Sequence, residues 1–503
     1  MEQNRQHAVV LGAGWAGLLH AIPLARRFDR VTLVERDVLP RGPEPHRGVP
    51  QGDHIHLLVP GGLARLEQLL PGVTDEMTTA GAHLIDSSLW RLHMGGGPVD
   101  LTDADVRITG ATRPLLESVV RERVLEMDGV DLLEGWGAQE LTTTPDRDRV
   151  TGVRLQSQHD PQQEQTLAAD LVVDTTGKGS RSPRWLADLG YGRIEEVRVA
   201  VDIHYATRLF RRDPADLDGC QNVLVDIPPD GTRGGVALAV EDDRWLVTLI
   251  GMLGERPPAD LDGFVEYARS LPFADLHDIV RDAEPVSEPR QRAFPAASWR
   301  RFDRLARLPA RYLVSGDAVC SFDPRFGQGM TVAIIEAVET GRVLDDGGLD
   351  DAGPRLLAAA GWAVHDAWDL ATGSALANPR VDGPGRCPGG SPTPTCSGCS
   401  RWPTATRSSV RPSSASSGCS PARPSSCTPA SSRASWPART APPGPRRRRR
   451  HDLASRRPLS RRFSPCSPLR WREQRRSAAP DPPQPVPAAR RGSRSRHSRP
   501  SPG

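Results

Sequence analysis

The sequence predicts an α/β fold in three parts. These are a Rossmann-like nucleotide-binding unit, an inserted mixed or antiparallel β-sheet unit and a disordered C-terminal tail. Three observations carry this. Residues 7–20, "HAVVLGAGWAGLLH", run from a short apolar strand through three glycines into a helical pattern. Between about 194 and 252 the apolar period shortens to two, the spacing of half-buried strands. Beyond residue 385 aliphatic periodicity disappears, so no core can offset the entropy of ordering the chain.

At 503 residues the chain has length for two or more domains. Its net charge of +3 hides two unlike halves. The tail 385–503 carries 25 Arg, no Lys and three acids, about +22, which leaves about −19 on residues 1–384. Six of the eight cysteines lie in the tail; Cys220 and Cys320 are too far apart to suggest a disulfide framework, which fits a reducing, cytoplasmic setting. The N-terminus shows no signal-peptide pattern, and no uncharged apolar run reaches membrane-spanning length. Three readings of the tail compete. It could be a nucleic-acid-binding arm, a weak metal knuckle at "CSGC", or out-of-frame translation of GC-rich DNA. The composition favours the last, since the whole chain holds one lysine, Lys178, against 64 arginines.

In the first motif Gly12 permits a tight turn, Gly14 lets a pyrophosphate approach the backbone, and Gly17 lets helix and strand pack closely. A second strand, "RVTLVER", ends in Glu35, 21 residues after Gly14, where a carboxylate can bond a ribose 2′-hydroxyl. Glycines alone would fit an inconsequential turn; strand, spacing and acid together predict dinucleotide binding. Ala13, Trp15 and Ala16 between the glycines, and Arg36 beside Glu35, complete the expected contact set. Pro23 falls inside the expected helix and predicts a kink.

A second stretch, "SGDAVCSFDPRFGQGM" (315–330), sets Gly316 and Asp317 after a short strand and two glycines before a helix. Met330, Ala333, Ile334, Ala337, Val338 and Gly341 recur at three-to-four spacing, so one helix face is buried. Its N-terminus would present free N–H groups and positive dipole to whatever lies in front. A glycine-capped surface helix is the bland alternative, and it leaves Asp317 and Pro324 unexplained.

Together these motifs resemble the FAD-dependent monooxygenases of the p-hydroxybenzoate hydroxylase fold over roughly residues 6–380. By that resemblance Gly12, Gly14, Gly17 and Glu35 hold the adenosine end of FAD. Gly316 and Asp317 contact its ribityl chain, and Pro324, Gly327, Gln328, Gly329 and Met330 cradle the flavin. Arg113, in "TRPLLESVVRERV", matches an arginine lying along the cofactor. The segment "HRGVPQGDHIHLL" (46–58) and the full 316–330 motif further resemble the epoxidase branch, including enzymes of polyether antibiotic biosynthesis. The implied domains are 1–85, 103–190 and 290–384 for FAD, 86–102 and 191–289 for substrate, and 385–503 as tail. The implied chemistry is epoxidation of an apolar alkene by O₂ through a flavin C4a-hydroperoxide, with NAD(P)H as electron donor. Aromatic hydroxylation and prenyl-chain reduction are alternatives on this fold, and nucleic-acid binding through the tail is the non-enzyme alternative. A flavin halogenase would need a lysine between flavin and substrate and a Trp-x-Trp-x-Ile-Pro segment; neither is found.

One departure concerns the reductant. Where related hydroxylases carry an Asp-Gly pair, this chain has Thr176-Gly177, with the nearest acid at Asp174. A separate flavin reductase therefore stays open as electron source. "VRVAVDIHY", "NVLVDIP", "GGVALAV" and "RWLVTLIGM" are expected to form the substrate sheet, with "LWRLHM" (89–94) adding a strand. No catalytic residue is assigned. His54 and His56 lack further ligands at metal-site spacing, so no metal is expected. They can bond cofactor or substrate, or lie in an exposed polar loop. Cys320 is expected to be a small buried residue.

Overall fold

The computed structural model describes residues 5–49, 51–104 and 106–381. The tail 385–503, expected to be disordered and out of frame, lies outside the described residues. The chain builds a five-stranded parallel sheet in the order Tyr312–Val314, Leu171–Asp174, His7–Leu11, Arg30–Glu35 and Val130–Glu134. Its central strands read as near-continuous apolar runs because both faces are covered. Ala8 and Val10 face one core with the helices Trp15–Ala25, Arg113–Leu125 and Gln328–Asp346. Val9 and Leu11 face a second core with the substrate-side strands.

Register decides where this sheet can bind a ligand. Leu11 pairs with Val34 on one side and Asp174 on the other, and Asp174 pairs with Val314. The residues that follow, Gly12, Glu35, Thr175 and Ser315-Gly316, therefore emerge side by side at the carboxyl edge. In an open parallel sheet that edge is where ligands bind.

The expected substrate strands form, as Glu196–Arg211, Asn222–Val225, Arg233–Val240 and Arg244–Met252. They belong to an eight-stranded sheet that is mixed, because Trp90–Met94 runs parallel to Asn222–Val225 while the other pairs are antiparallel. The helices Leu261–Arg269 and Asp275–Val280 cover one face, burying Phe264 and Leu276 completely beside Trp245. Each such side chain stabilises the fold by about 1.5–3 kcal/mol relative to leaving it in water. The other face, carrying Tyr205, Val236 and Ile250, turns toward the parallel-sheet unit.

Two features were not anticipated. Arg290–Arg300 is a strand of the large sheet, next to the short edge strand Cys320–Ser321, and Trp136–Thr143, Val150–Ser157 and Glu164–Ala168 form a separate three-stranded antiparallel sheet. Pro23, where a kink is expected, falls in the last turn of a helix that ends at Ala25, so the missing amide leaves Leu19 O without its helical donor only two residues before the helix ends. Pro23 instead packs closely on Gly341, where an added Cβ would sit 3.3 Å from the proline Cβ. No helix among the described residues is long and apolar enough to cross a membrane.

Candidate active site

The first glycine turn has the geometry its sequence requires. Gly12 adopts φ +93 and donates its N–H to Val34 O at 2.8 Å. A Cβ on Gly17 would sit 1.8 Å from Gly12 O, so helix and turn touch only because that atom is missing. Gly14 caps the helix Trp15–Ala25 without any side-chain cap, which leaves the first-turn amides free for a ligand. Glu35 is buried and already engaged: its Oε2 accepts from Ala13 N at 2.8 Å and its Oε1 from Asp37 N at 3.1 Å. Each carboxylate oxygen keeps a second lone pair for a ribose hydroxyl. Arg36 lies exposed just beyond the strand.

Arg113 opens the helix Arg113–Leu125, whose Thr112 cap accepts from Leu115 N at 3.4 Å. Its guanidinium stands over the Trp15 ring, 5.2 Å from the centroid, and its Nε donates to Glu117 Oε2 at 3.0 Å. Glu117 also meets His46 Nε2 at 3.1 Å. Burial alone would raise the Glu117 carboxyl, but Arg113 and His46 more than reverse it and hold it below its usual value. The same network raises His46, because Glu117, Glu35 and Asp37 outweigh the burial that would lower it. A carboxylate thus fixes the arginine beside the glycine turn.

The second motif closes onto the first. Trp15 Nε1 donates to Met330 O at 3.3 Å, joining residues 315 positions apart. Gly316 has φ +66, and a Cβ there would lie 3.0 Å from the Ala16 Cβ. Its N–H and the Ser315 hydroxyl both donate to Glu336 Oε2, each at 2.7 Å. Glu336, on the helix Gln328–Asp346, is 4 % exposed, and burial pushes its carboxyl up to about 7 despite those two bonds. It is a positioning residue that sequence reasoning missed. The available signal was a glutamate spaced three and four residues from Ala333 and Thr340, inside the buried stripe.

Asp317 is the residue that turn presents. Burial raises its carboxyl, while the charges of Lys178, Arg113 and Arg300 pull the other way. It accepts no hydrogen bond from any described residue. A carboxylate so placed retains acceptor capacity that a polyol can use. Beyond it, Pro324–Phe326 form one 3₁₀ turn capped by Asp323, and Gly327 starts the next helix at φ +61. Asp323 and Arg325 form a buried ion pair at 2.6 Å, with side chains 0% and 5% exposed. Gln328 Nε2 donates to Phe326 O at 2.8 Å. In front of Gly329 nothing lies within 4 Å, which is the clearance a planar ring needs.

The Thr176-Gly177 departure also has a structural reason. Asp174 is fully buried and consumed locally, accepting from Thr176 N at 2.9 Å, Ser180 Oγ at 2.6 Å and the Ser182 hydroxyl. Lys178 rests on the Phe294 ring, 3.9 Å from its centroid, at the edge of the large sheet. His54 is buried against that sheet, whereas His56 lies under the charge of Arg113. Among the described residues no cluster of three or more His, Cys, Asp or Glu is positioned to hold a metal. Cys320 is buried, and burial pushes its thiol well above the usual range.

No protein-family model matches the chain. Protein Rv3254 of Mycobacterium tuberculosis is 36% identical to it over 352 residues, covering 68% of this chain and 73% of that protein. Among solved structures, PqsL of Pseudomonas aeruginosa, named there as a probable FAD-dependent monooxygenase, superposes with a TM-score of 0.58 at 19% identity. That match covers 74% of this chain and 97% of PqsL. The tetrameric 2-methyl-3-hydroxypyridine-5-carboxylic acid oxygenase gives a TM-score of 0.54 at 18% identity, covering 75% and 94% of the two chains. These likenesses show the fold, that of the FAD-dependent monooxygenases related to p-hydroxybenzoate hydroxylase.

Proposed function

The chain belongs to the family of Protein Rv3254 of Mycobacterium tuberculosis, and from that premise we propose that it is an FAD-dependent monooxygenase. The observation that carries this reading is Asp317, a carboxylate without a hydrogen-bond partner among the described residues, set beside two glycine turns that meet at one sheet edge. The residues present fit FAD. Glu35 takes the adenosine ribose, and the free amides of Trp15 and Ala16 at the helix N-terminus take the pyrophosphate beside Arg113. Asp317 takes the ribityl hydroxyls. Pro324, Gly327, Gln328, Gly329 and Met330 border the ring, with the uncapped N-terminus of Gln328–Asp346 favouring its electron-rich edge. When bound and reduced, FAD supplies two electrons to O₂ and makes one of its oxygen atoms transferable.

The chain's own part is to bind, orient and exclude water. Tyr205, Val236, Ile250 and Phe322 make the facing wall largely apolar, suited to a small apolar substrate with an electron-rich carbon–carbon π-bond. Epoxidation of an alkene is the reading we favour, on the resemblance of 46–58 and 316–330 to the epoxidase branch. Hydroxylation of an aromatic ring is the second, favoured by the fold shared with an oxygenase whose name specifies a pyridine ring. NAD(P)H is the proposed electron donor, directly or through a separate reductase. Domain limits are proposed as 1–85, 103–190 and 290–384 for the cofactor, with 86–102 and 191–289 for substrate. Mass spectrometry of products formed under ¹⁸O₂ from a panel of alkenes and phenols tests the reading. One ¹⁸O atom per product molecule is expected, and reduced products lacking ¹⁸O would favour a prenyl-chain reductase instead.

A further inference from the structure

The His54-x-His56 segment has no assigned role in holding the cofactor, yet its first histidine is among the most constrained polar groups in the chain. His54 is 7 % exposed. Its Nδ1 lies 2.6 Å from Thr207 Oγ1, and Thr207 Oγ1 lies 2.7 Å from Thr248 Oγ1. Those threonines face each other on adjacent strands of the large sheet, two register positions from the pair Tyr205 and Ile250 and so on the same face. Both threonines are 2 % exposed, so each hydroxyl needs a partner. One direction satisfies the row: Thr248 donates to Thr207, and Thr207 donates to His54 Nδ1. The reverse direction leaves the Thr248 hydrogen without an acceptor among the described residues. The hydroxyl row therefore assigns the ring hydrogen to His54 Nε2, which is bonded to no described residue.

A second unsatisfied group stands beside it. The Tyr205 ring centroid lies 5.6 Å from that of His54, and Tyr205 is 7 % exposed with its hydroxyl unpartnered. Leaving such a group unbonded costs about 1–3 kcal/mol, so its position on an inner sheet face calls for a ligand atom. Nearby Asp323 and Arg325 are spent on each other. Arg292, the cross-strand partner of Tyr205, adds a charge nearby, while Ile55 packs against both the cofactor-side and sheet cores.

We propose that His54 Nε2–H and the Tyr205 hydroxyl form a two-point hydrogen-bonding notch for a neutral oxygen of the substrate, a hydroxyl, carbonyl or ether on an otherwise apolar skeleton. This deepens the monooxygenase reading and rests on it. Burial and the charge of Arg292 hold His54 down at about 4, and burial holds the Tyr205 phenol well above its usual value. Both groups are uncharged across the working pH range, so the notch anchors and orients substrate and moves no proton.

The test titrates oxidised holoenzyme with matched pairs, 2-naphthol against 2-methylnaphthalene and farnesol against farnesene. Binding is read from the flavin difference spectrum and, in parallel, by equilibrium dialysis, which needs no flavin. In the wild type the oxygenated member of at least one pair binds about 10-fold tighter, the size of one good hydrogen bond. His54→Leu and Tyr205→Phe each reduce that ratio to within about 2-fold while the hydrocarbon affinity holds. His54→Gln keeps an N–H near the Nε2 position and restores part of the preference. Tyr205→Phe removes one oxygen only, so it carries the test if His54→Leu fails to fold. Equal affinity within every pair, or a preference that survives both substitutions, overturns the notch. A protein that discriminates the pairs by dialysis but holds no FAD would instead overturn the monooxygenase reading.

Discussion

Glu336→Gln tests how the Asp317 turn is held. The wild-type carboxyl is pushed up to about 7 by burial, against an ordinary value near 4.5. Between those two pH values the folded chain keeps a proton that the unfolded chain has released. Protonation at this site therefore contributes its full stabilisation below about pH 4.5, and the contribution is gone once the pH passes about 7. A shift of this size corresponds to about 3 kcal/mol at about 1.4 kcal/mol per unit. Glutamine keeps an acceptor for the Ser315 hydroxyl and the Gly316 N–H but cannot ionise. Urea unfolding of both proteins at pH 5, 6, 7 and 8 isolates the site, because other titrating groups cancel in the difference. The variant should gain on the wild type by about 3 kcal/mol between pH 5 and 8, with the change concentrated below pH 7. Parallel profiles would refute the claim that a buried carboxyl supports this turn.

The two glycine motifs and the Asp323–Arg325 ion pair inside the second can be probed in the same way. Gly17→Ala should abolish FAD binding, because its Cβ would stand 1.8 Å from Gly12 O, whereas Gly329→Ala, with nothing within 4 Å, should fold normally. FAD titration with parallel thermal melts separates them, and equal behaviour would contradict the geometry. Asp323→Asn leaves Arg325 buried without its carboxylate and should cost about 3–5 kcal/mol in urea unfolding. The double change Asp323→Asn with Arg325→Met should recover much of that loss, since no lone charge remains buried.

Much of this was legible because the signals were local. Gly12, Gly14 and Gly17 follow a strand and open a helix, a pattern set by backbone sterics within a few residues. The strand Glu196–Arg211 announced itself by alternation at its start, and Arg233–Val240 and Arg244–Met252 as short apolar runs between turns. Met330, Ala333, Ile334, Ala337 and Gly341 are buried as their spacing predicts, with Val338 partly so. The three-stranded sheet was not legible. Its strands, such as "WGAQELTT" and "EQTLA", are half exposed, and glutamine and threonine dilute the alternation. The strand Arg290–Arg300 was hidden by three arginines and a proline, with Arg290, Arg292 and Pro295 exposed to solvent. Within the site, Glu336 and His54 act through partners 20 and 153 residues away, and no short window of sequence contains both ends of such a contact. The same holds for Trp15, whose bond to Met330 joins the two motifs.

On the proposed reading, two distant glycine motifs form one FAD site with Asp317 at its middle. The most direct measurement is equilibrium binding of FAD to purified apoprotein, wild type beside Asp317→Ala. One equivalent of FAD should bind, and the variant should lose about 1.5–3 kcal/mol of affinity, roughly 10- to 150-fold, the size of hydrogen bonds to a charged group. A wild type that takes up no FAD, or a variant that binds it equally well, would contradict a shared FAD site at Asp317.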